Sequence, residues 1–159
     1  MSSVFIGAGS NLGHRFGFLF EGRSLLSECP GFTFRKASPN YETAPVGGPE
    51  GQGLYLNAVW EFETALPPEE VLKVLLEVEK KMGRERGEPN APRTLDLDLL
   101  VYDDVVLDSG ALTLPHPRMH ERPFVLKPLS DIAPSWKHPV LKLSASKLLE
   151  AGVEGCPKS

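Results

Sequence analysis

Two strictly alternating segments flanking one amphipathic segment constrain this chain more than anything else in it. Across Tyr55–Thr64, Leu56, Ala58, Trp60 and Phe62 share one parity, and Tyr55, Asn57, Val59 and Glu61 share the other. Across Leu95–Tyr102, Leu95, Leu97, Leu99 and Val101 face one way, and Thr94, Asp96, Asp98 and Leu100 the other. Alternation of this kind belongs to strands with one buried face. The segment between them, Pro67–Met82, has helical period. Val71, Leu75, Val78 and Met82 form its apolar stripe, widened by Leu72 and Leu76. Pro68 suits the first helical position, and Glu69 and Glu70 suit the positive end of the helix dipole. Glu69 with Lys73 and Glu77 with Lys81 are spaced as favourable pairs. Gly83 ends the helix.

The remaining segments complete an order. Val4–Gly9 reads as a short buried strand, and Ser10 or Asn11 as a cap for the element that follows. Residues 13–28 carry Phe16, Leu19, Phe20, Leu25 and Leu26 at helical spacing, weakened by Gly17 and Gly22. Phe32–Thr43 reads as a strand bent at Pro39. Asp103 and Asp104 turn into a short strand, Val105–Leu107, and 113–123 is a connection rich in Pro and His. Pro123–Ile132 and Ser144–Ala151 read as helices. The fold expected is α+β: a ferredoxin-like βαββαβ core with an antiparallel sheet and additional short C-terminal helices. Such a fold carries no chemistry by itself.

At 159 residues the chain predicts one domain, 1–159, large enough for a core without staples. Seventeen basic residues against 21 acidic ones, net −4, argue against a nucleic-acid or membrane-surface binder. No apolar run approaches the ~18 residues of a membrane span. Cys29 and Cys156, 127 positions apart and without a C-x-x-C, read as free thiols of a cytoplasmic protein. Fifteen Gly and 15 Pro gather in loops, above all in 44–54 and 84–93. Long loops of this kind within a compact domain are often lids.

The chemistry concentrates in A-P-R-T-L-D-L-D-L-L at 91–100. Asp96 and Asp98, two apart on a strand, point the same way with Cα atoms about 6–7 Å apart. Two isolated carboxylates there resist ionising together, and a divalent cation removes the conflict. Oxygen ligands of this kind suit Mg²⁺, which keeps water or substrate phosphate in its other positions. The same pair can also simply solvate an outer sheet face. Arg84, Arg86 and Arg93 lead into the pair, and guanidinium forks hold phosphate oxygens. They can equally be a solvated loop neutralised by Glu85 and Glu88. His116 and Arg122 offer further donors, whereas Arg118 and His120 read as ordinary surface residues. Asn57, a neutral amide among apolar strand residues, can read the edge of a heterocycle, and Tyr55 and Phe124 can line such a ring. The run G-S-N-L-G at 9–13 lacks the lysine of a P-loop. The residues alone therefore indicate a metal-dependent enzyme acting on a polyphosphate and a flat polar partner.

Together these segments resemble the 6-hydroxymethyl-7,8-dihydropterin pyrophosphokinase family of folate biosynthesis. The likeness runs from G-A-G-S-N-L-G at 7–13 through Y-E-T-A-P-V-G at 41–47, Y-L-N-A-V at 55–59, G-R at 83–84 and A-P-R-T-L-D-L-D-L-L at 91–100. It continues to L-P-H-P at 114–117 and the region around 134. The resemblance implies transfer of the β,γ-pyrophosphoryl group of ATP to a pterin CH₂OH, leaving AMP. It implies that Asp96 and Asp98 bind two Mg²⁺ ions. It implies that Arg84 and Arg93 act on the phosphates, with Arg86, Thr113, His116 and Arg122 at the nucleotide. Thr43, Val46, Tyr55, Asn57 and Phe124 match the pterin pocket. Loops 10–14, 44–54 and 84–93 match those that close over the reactants, and a monomer is implied.

Some positions depart from the family pattern. Asn90 stands where some members have a tryptophan, and Pro89 where a basic residue is common. Loop 84–93 is one residue shorter than in some relatives. Ala111, Pro117 and Leu76 replace an arginine, a tyrosine and a glutamine that touch nucleotide. No fused folate-pathway domain is expected. Two rival readings use the same residues: a metal-dependent phosphohydrolase or nuclease, and a non-catalytic ferredoxin-like ligand-binding module. The first lacks an obvious water-activating residue. The second leaves the aspartates and the arginine loop without a shared task.

Overall fold

A computed structural model describes residues 1–11, 13–43, 54–83 and 95–155. Loops 44–53 and 84–94, with Val46, Arg84, Arg86, Arg93, Pro89 and Asn90, lie outside the described residues, as does Cys156. The described chain runs β1 (Ser2–Ser10), α1 (Arg15–Glu28), β2 (Phe32–Ala37), β3 (Tyr41–Thr43), β4 (Tyr55–Thr64), α2 (Pro68–Lys81) and β5 (Asp96–Tyr102). A small hairpin, β6 (Leu107–Asp108) and β7 (Thr113–Leu114), follows. A 3-10 turn at Met119–Glu121 leads to α3 (Pro123–Ile132) and α4 (Ala145–Gly155).

The sheet is antiparallel in the order β2-β4-β1-β5, with β3 also pairing β4. This is the ferredoxin-like arrangement, with its second strand broken in two. Pro39 lies in that break, and both halves pair with β4: Ala37 opposite Trp60, Tyr41 opposite Asn57. A proline has no amide hydrogen for the ladder, so the strand bends there.

One face of the sheet packs on α1 and α2. Val4, Ile6, Leu56, Trp60, Phe62, Val71, Leu75, Leu97 and Leu99 share one buried cluster with their neighbours. The alternation in β4 and in the first part of β5 is therefore as expected. It fails at Val101. The β1–β5 register shifts between Phe5 and Ile6, with Ile6 opposite Leu99 and Phe5 opposite Val101. Leu100 is the extra residue of this bulge, which resets the parity of the strand. Leu100 and Val101 both enter a second cluster with Phe5, Val59, Met119, Val125 and Leu129. That cluster lies under α3 and α4, so helices cover part of the other sheet face as well.

Several local expectations are corrected. α1 buries Leu19, Gly22 and Leu26, while Phe16 and Phe20 are 58% and 64% exposed. Gly22 is the reason: a Cβ there would lie 2.6 Å from Leu95 Cδ2. The helix approaches the sheet through its glycine and turns the two phenylalanines outward. Arg23 then covers both Phe20 and Phe34, its guanidinium 5.7 and 5.1 Å from their ring centroids. Neither Ser10 nor Asn11 caps α1: the N-cap is His14, without a side-chain bond, and Ser10 closes β1. In α2, Leu76 is exposed and Lys73 pairs with Glu70 at 3.3 Å rather than with Glu69. The strand expected at 105–107 lies at 107–108, because its partner is the β7 segment that had read as irregular connection.

Candidate active site

β1 supplies the floor of the site. Its residues of one parity are buried against α1 and α2, and Gly7 and Gly9 have the other parity. Gly7 stands opposite Asp98 on β5 and Val59 on β4, and Gly9 opposite Asp96 and Asn57. Tyr41 stands on the far side of Asn57. One row across four strands therefore reads Asp96, Gly9, Asn57, Tyr41. Two strand spacings put the Asp96 and Asn57 backbones roughly 10 Å apart. Side chains at the intervening positions would fill this space. A Cβ on Gly9 would stand 3.0 Å from Asn57 Oδ1 and 3.4 Å from Tyr55 Cδ1. Gly9 thus leaves a trough between Asp96 and the amide, whereas the Leu100 side chain covers Gly7, 3.4 Å from where its Cβ would stand.

Asn57 is buried, and its amide nitrogen donates to Thr43 Oγ1. Thr43 lies opposite Tyr55 in the β3–β4 ladder, so Thr43, Tyr55 and Asn57 form one group. Arg15, the first residue of α1, donates to the Leu54 carbonyl at 2.9 Å and pairs with Glu42 at 3.2 Å. It thereby joins the two chain segments on either side of loop 44–53. The Tyr41 hydroxyl donates to Asp131 of α3, which Lys127 also approaches at 3.3 Å. The bond to the carboxylate, then burial, pushes the Tyr41 hydroxyl up from its ordinary value. Phe124, half-buried at the start of α3, packs on the second cluster. The Arg122 guanidinium lies 5.6 Å from its ring centroid.

Asp96 and Asp98 are half-exposed, while Leu95, Leu97 and Leu99 between and beside them are buried. His116 is tied to the same strand, its backbone N–H donating to the Leu100 carbonyl at 2.8 Å. Burial pushes the His116 imidazole down to about 4, helped by the charges of Arg122 and Arg118 and opposed by Asp96. Its Nδ1 accepts the Arg118 backbone N–H at 3.2 Å. A neutral ring accepting at Nδ1 carries its proton on Nε2, so Nε2–H is the donor it presents. Thr113 and His116 line a cavity of about 260 Å³ with Leu114, Pro115, Pro117 and His120. His120 itself packs edge-on against His138 at 6.0 Å, in keeping with a structural place for it.

Among the described residues no group of three or more His, Cys, Asp or Glu could hold a metal ion. The donor set that is present is two half-exposed carboxylates at alternate positions of one strand. Mg²⁺ fits it, because that ion is commonly held by one or two carboxylates together with water and substrate phosphates.

Three positions around the candidate site escape sequence reading. Gly7 and Gly9 look like strand-weakening residues; the signal is that both have the parity of the face opposite the core. Glu79 of α2 is 3% exposed and accepts the Leu97 backbone N–H at 2.7 Å. Its signal is a glutamate adjoining Val78 on the apolar stripe.

A sequence profile described as 7,8-dihydro-6-hydroxymethylpterin-pyrophosphokinase matches residues 5–134. The 2-amino-4-hydroxy-6-hydroxymethyldihydropteridine pyrophosphokinase of Bacillus subtilis is 41% identical over 129 residues, covering 81% of this chain and 77% of that protein. The protein of the same name from Synechocystis is 39% identical over 145 residues, covering 91% and 73%. The folic acid synthesis protein fol1 of Pneumocystis carinii is 39% identical over 152 residues, but this chain spans only 20% of its length. Among solved structures, Plasmodium falciparum HPPK-DHPS with pteroate superposes with a TM-score of 0.75 at 16% identity. That match covers 96% of this chain and 42% of the other, and it supports the fold. With the profile covering most of the chain, this protein belongs to the 7,8-dihydro-6-hydroxymethylpterin-pyrophosphokinase family.

Proposed function

We propose that this chain transfers the β,γ-pyrophosphoryl group of ATP to the hydroxymethyl group of 6-hydroxymethyl-7,8-dihydropterin, with Mg²⁺, in folate biosynthesis. The observation that carries the reading is the row in which Asp96 and Asn57 flank Gly9 on one sheet face. Together with family membership, it supports a phosphate end at β5 and a heterocycle end at β3–β4.

Asn57, oriented by Thr43, hydrogen-bonds the pterin edge, Tyr55 and Phe124 enclose the ring, and Val46 belongs to the same pocket. Asp96 and Asp98 hold the two ions, whose positive charge neutralises phosphate oxygens when they are bound. Arg84, Arg86 and Arg93 grip the polyphosphate from loop 84–94. Arg122 balances its charge, and Thr113 contacts the nucleotide. His116 donates from Nε2 to a phosphate or ribose oxygen without adding charge. The pterin hydroxyl oxygen bonds to the β-phosphorus, the bond from that phosphorus to the α-phosphate oxygen breaks, AMP leaves, and the hydroxyl proton passes to a base. Holding the two reactants in line removes most of the entropic barrier to their meeting. Loop closure excludes water, which otherwise competes for ATP. Residues 1–159 act as one catalytic domain, monomeric and cytoplasmic. Among the described residues no helix is long and apolar enough to cross a membrane.

The test is a product assay with ATP, Mg²⁺ and 6-hydroxymethyl-7,8-dihydropterin, resolving AMP from ADP, with a control lacking pterin. Pterin-dependent AMP is the expected result. ADP, or nucleotide cleavage without pterin, would replace this reading with that of a kinase or a phosphohydrolase.

A further inference from the structure

We propose that Glu79 is a positioning residue for the aspartate pair, acting through the backbone amide between them. The inference rests on the reading of Asp96 and Asp98 as metal ligands. Among the described residues β5 is an edge strand, paired with β1 alone. In an antiparallel ladder, alternate residues direct their N–H and C=O groups to opposite sides. Asp96 and Asp98 lie opposite Gly9 and Gly7, and Leu97 between them donates its N–H at 2.7 Å to Glu79 Oε2. Glu79 thus supplies, from α2, the acceptor that a further strand would otherwise provide.

The placement has a consequence for the site. Edge strands fray and twist because half of their backbone groups lack fixed partners. Fraying centred on Leu97 would rotate both flanking Cα–Cβ bonds and so alter the separation of the carboxylates. The bond is short, and this carboxylate is only 3% exposed, so little water competes for the amide. An ordinary helix–sheet contact needs a leucine at that position. A buried carboxylate aimed at the one amide between two site carboxylates is an arrangement for holding their geometry. Partners that orient metal ligands typically change affinity or activity by about 10–100-fold when removed.

The experiment compares wild type, Glu79→Ala and Glu79→Gln. Mn²⁺ binding is measured by electron paramagnetic resonance in the presence of a non-hydrolysable ATP analogue. Hydrogen exchange at the Leu97 amide is followed by NMR. Glutamine keeps a carbonyl acceptor at the same reach. The expected result is Mn²⁺ affinity weakened about 10–100-fold in Glu79→Ala, with faster Leu97 exchange and both largely restored in Glu79→Gln. Unchanged Mn²⁺ affinity in Glu79→Ala despite faster exchange would make Glu79 a fold-stabilising residue only and overturn the proposal. Equal loss in Glu79→Gln would overturn it too, since charge rather than the amide bond would then matter. If Glu79→Ala does not fold, Glu79→Asp takes its place: its shorter reach is expected to weaken Mn²⁺ binding, and wild-type affinity there counts against the proposal. A wild-type chain that takes up no Mn²⁺ would instead remove the metal reading of Asp96 and Asp98, and this inference with it.

Discussion

Asp96 and Asn57 stand on one sheet face on either side of Gly9, one residue of β1 lying between them in the cross-strand row. An acidic end and an amide end of a single trough are thereby held at a separation set by strand spacing, not by flexible loops. Sites on regular elements keep their geometry more closely than sites on loops. The row also separates the expected effects of substitution at its two ends.

At the acidic end, Asp96→Ala and Asp98→Ala are each expected to lower turnover by at least about 10²–10³-fold, the scale for removing a stabiliser of transition-state charge. Both side chains are half-exposed and outside the buried clusters, so melting temperature should change little. Steady-state AMP formation and thermal melting check the two halves. Full turnover in both variants would take the aspartates out of the reaction.

At the amide end, Asn57→Ala is expected to weaken pterin binding by about 10-fold, within the range of about 1–3 kcal/mol for leaving a buried partner unsatisfied. Nucleotide binding should be almost unaffected. Titration calorimetry with each ligand separately decides it. Equal weakening of both would mean that the residue supports the sheet and not the ring.

Between them, Gly9→Ala brings a methyl group to 3.0 Å from Asn57 Oδ1. Overpacking of this kind costs about 1–3 kcal/mol of stability. The amide must also move, so pterin affinity should fall with it. Denaturant unfolding and pterin titration give the two numbers, and a variant with wild-type pterin affinity would show that the trough has room to spare.

His116 predicts a pH dependence. Its imidazole falls from 6.5 in the free side chain to about 4 in the folded chain. The unfolded chain therefore binds the proton more readily, and stability is lost as the pH falls through 6.5, levelling off below about 4. The shift alone corresponds to about 3 kcal/mol, and solvent screening of the partly exposed ring keeps the effect below that. Urea unfolding of wild type and His116→Gln between pH 4 and 8 isolates it. The stability difference between the two should shrink in favour of the variant as pH drops; a constant difference would mean that the ring is not buried in its neutral form.

The helix and the two alternating strands were legible in the sequence because each has one buried face, which imprints a period. The ferredoxin-like order followed from their succession. The errors have equally local causes. Phe16 and Phe20 have the hydrophobicity of core residues, but the close approach that Gly22 allows turns them outward. Val101 was assigned to the wrong face because a bulge leaves no mark on composition. The β6–β7 hairpin is too short to show a period at all. Within the site, Asp96, Asp98 and Asn57 stood out as polar residues on strand positions. Gly7, Gly9 and Glu79 did not, since an absent side chain and a backbone bond to another element become visible only in three dimensions.

The bulge at Leu100 divides one seven-residue strand into two different jobs. Before it, alternate residues of Asp96–Leu99 turn toward the trough; after it, Leu100 and Val101 turn into the core beneath α3. Had the strand stayed regular, Val101 would have turned toward α1 and α2 instead of joining Leu100 beneath the C-terminal helices. A one-residue deletion there should damage the hydrophobic attachment of the C-terminal helices first and leave the ladder of the aspartates with β1 in register.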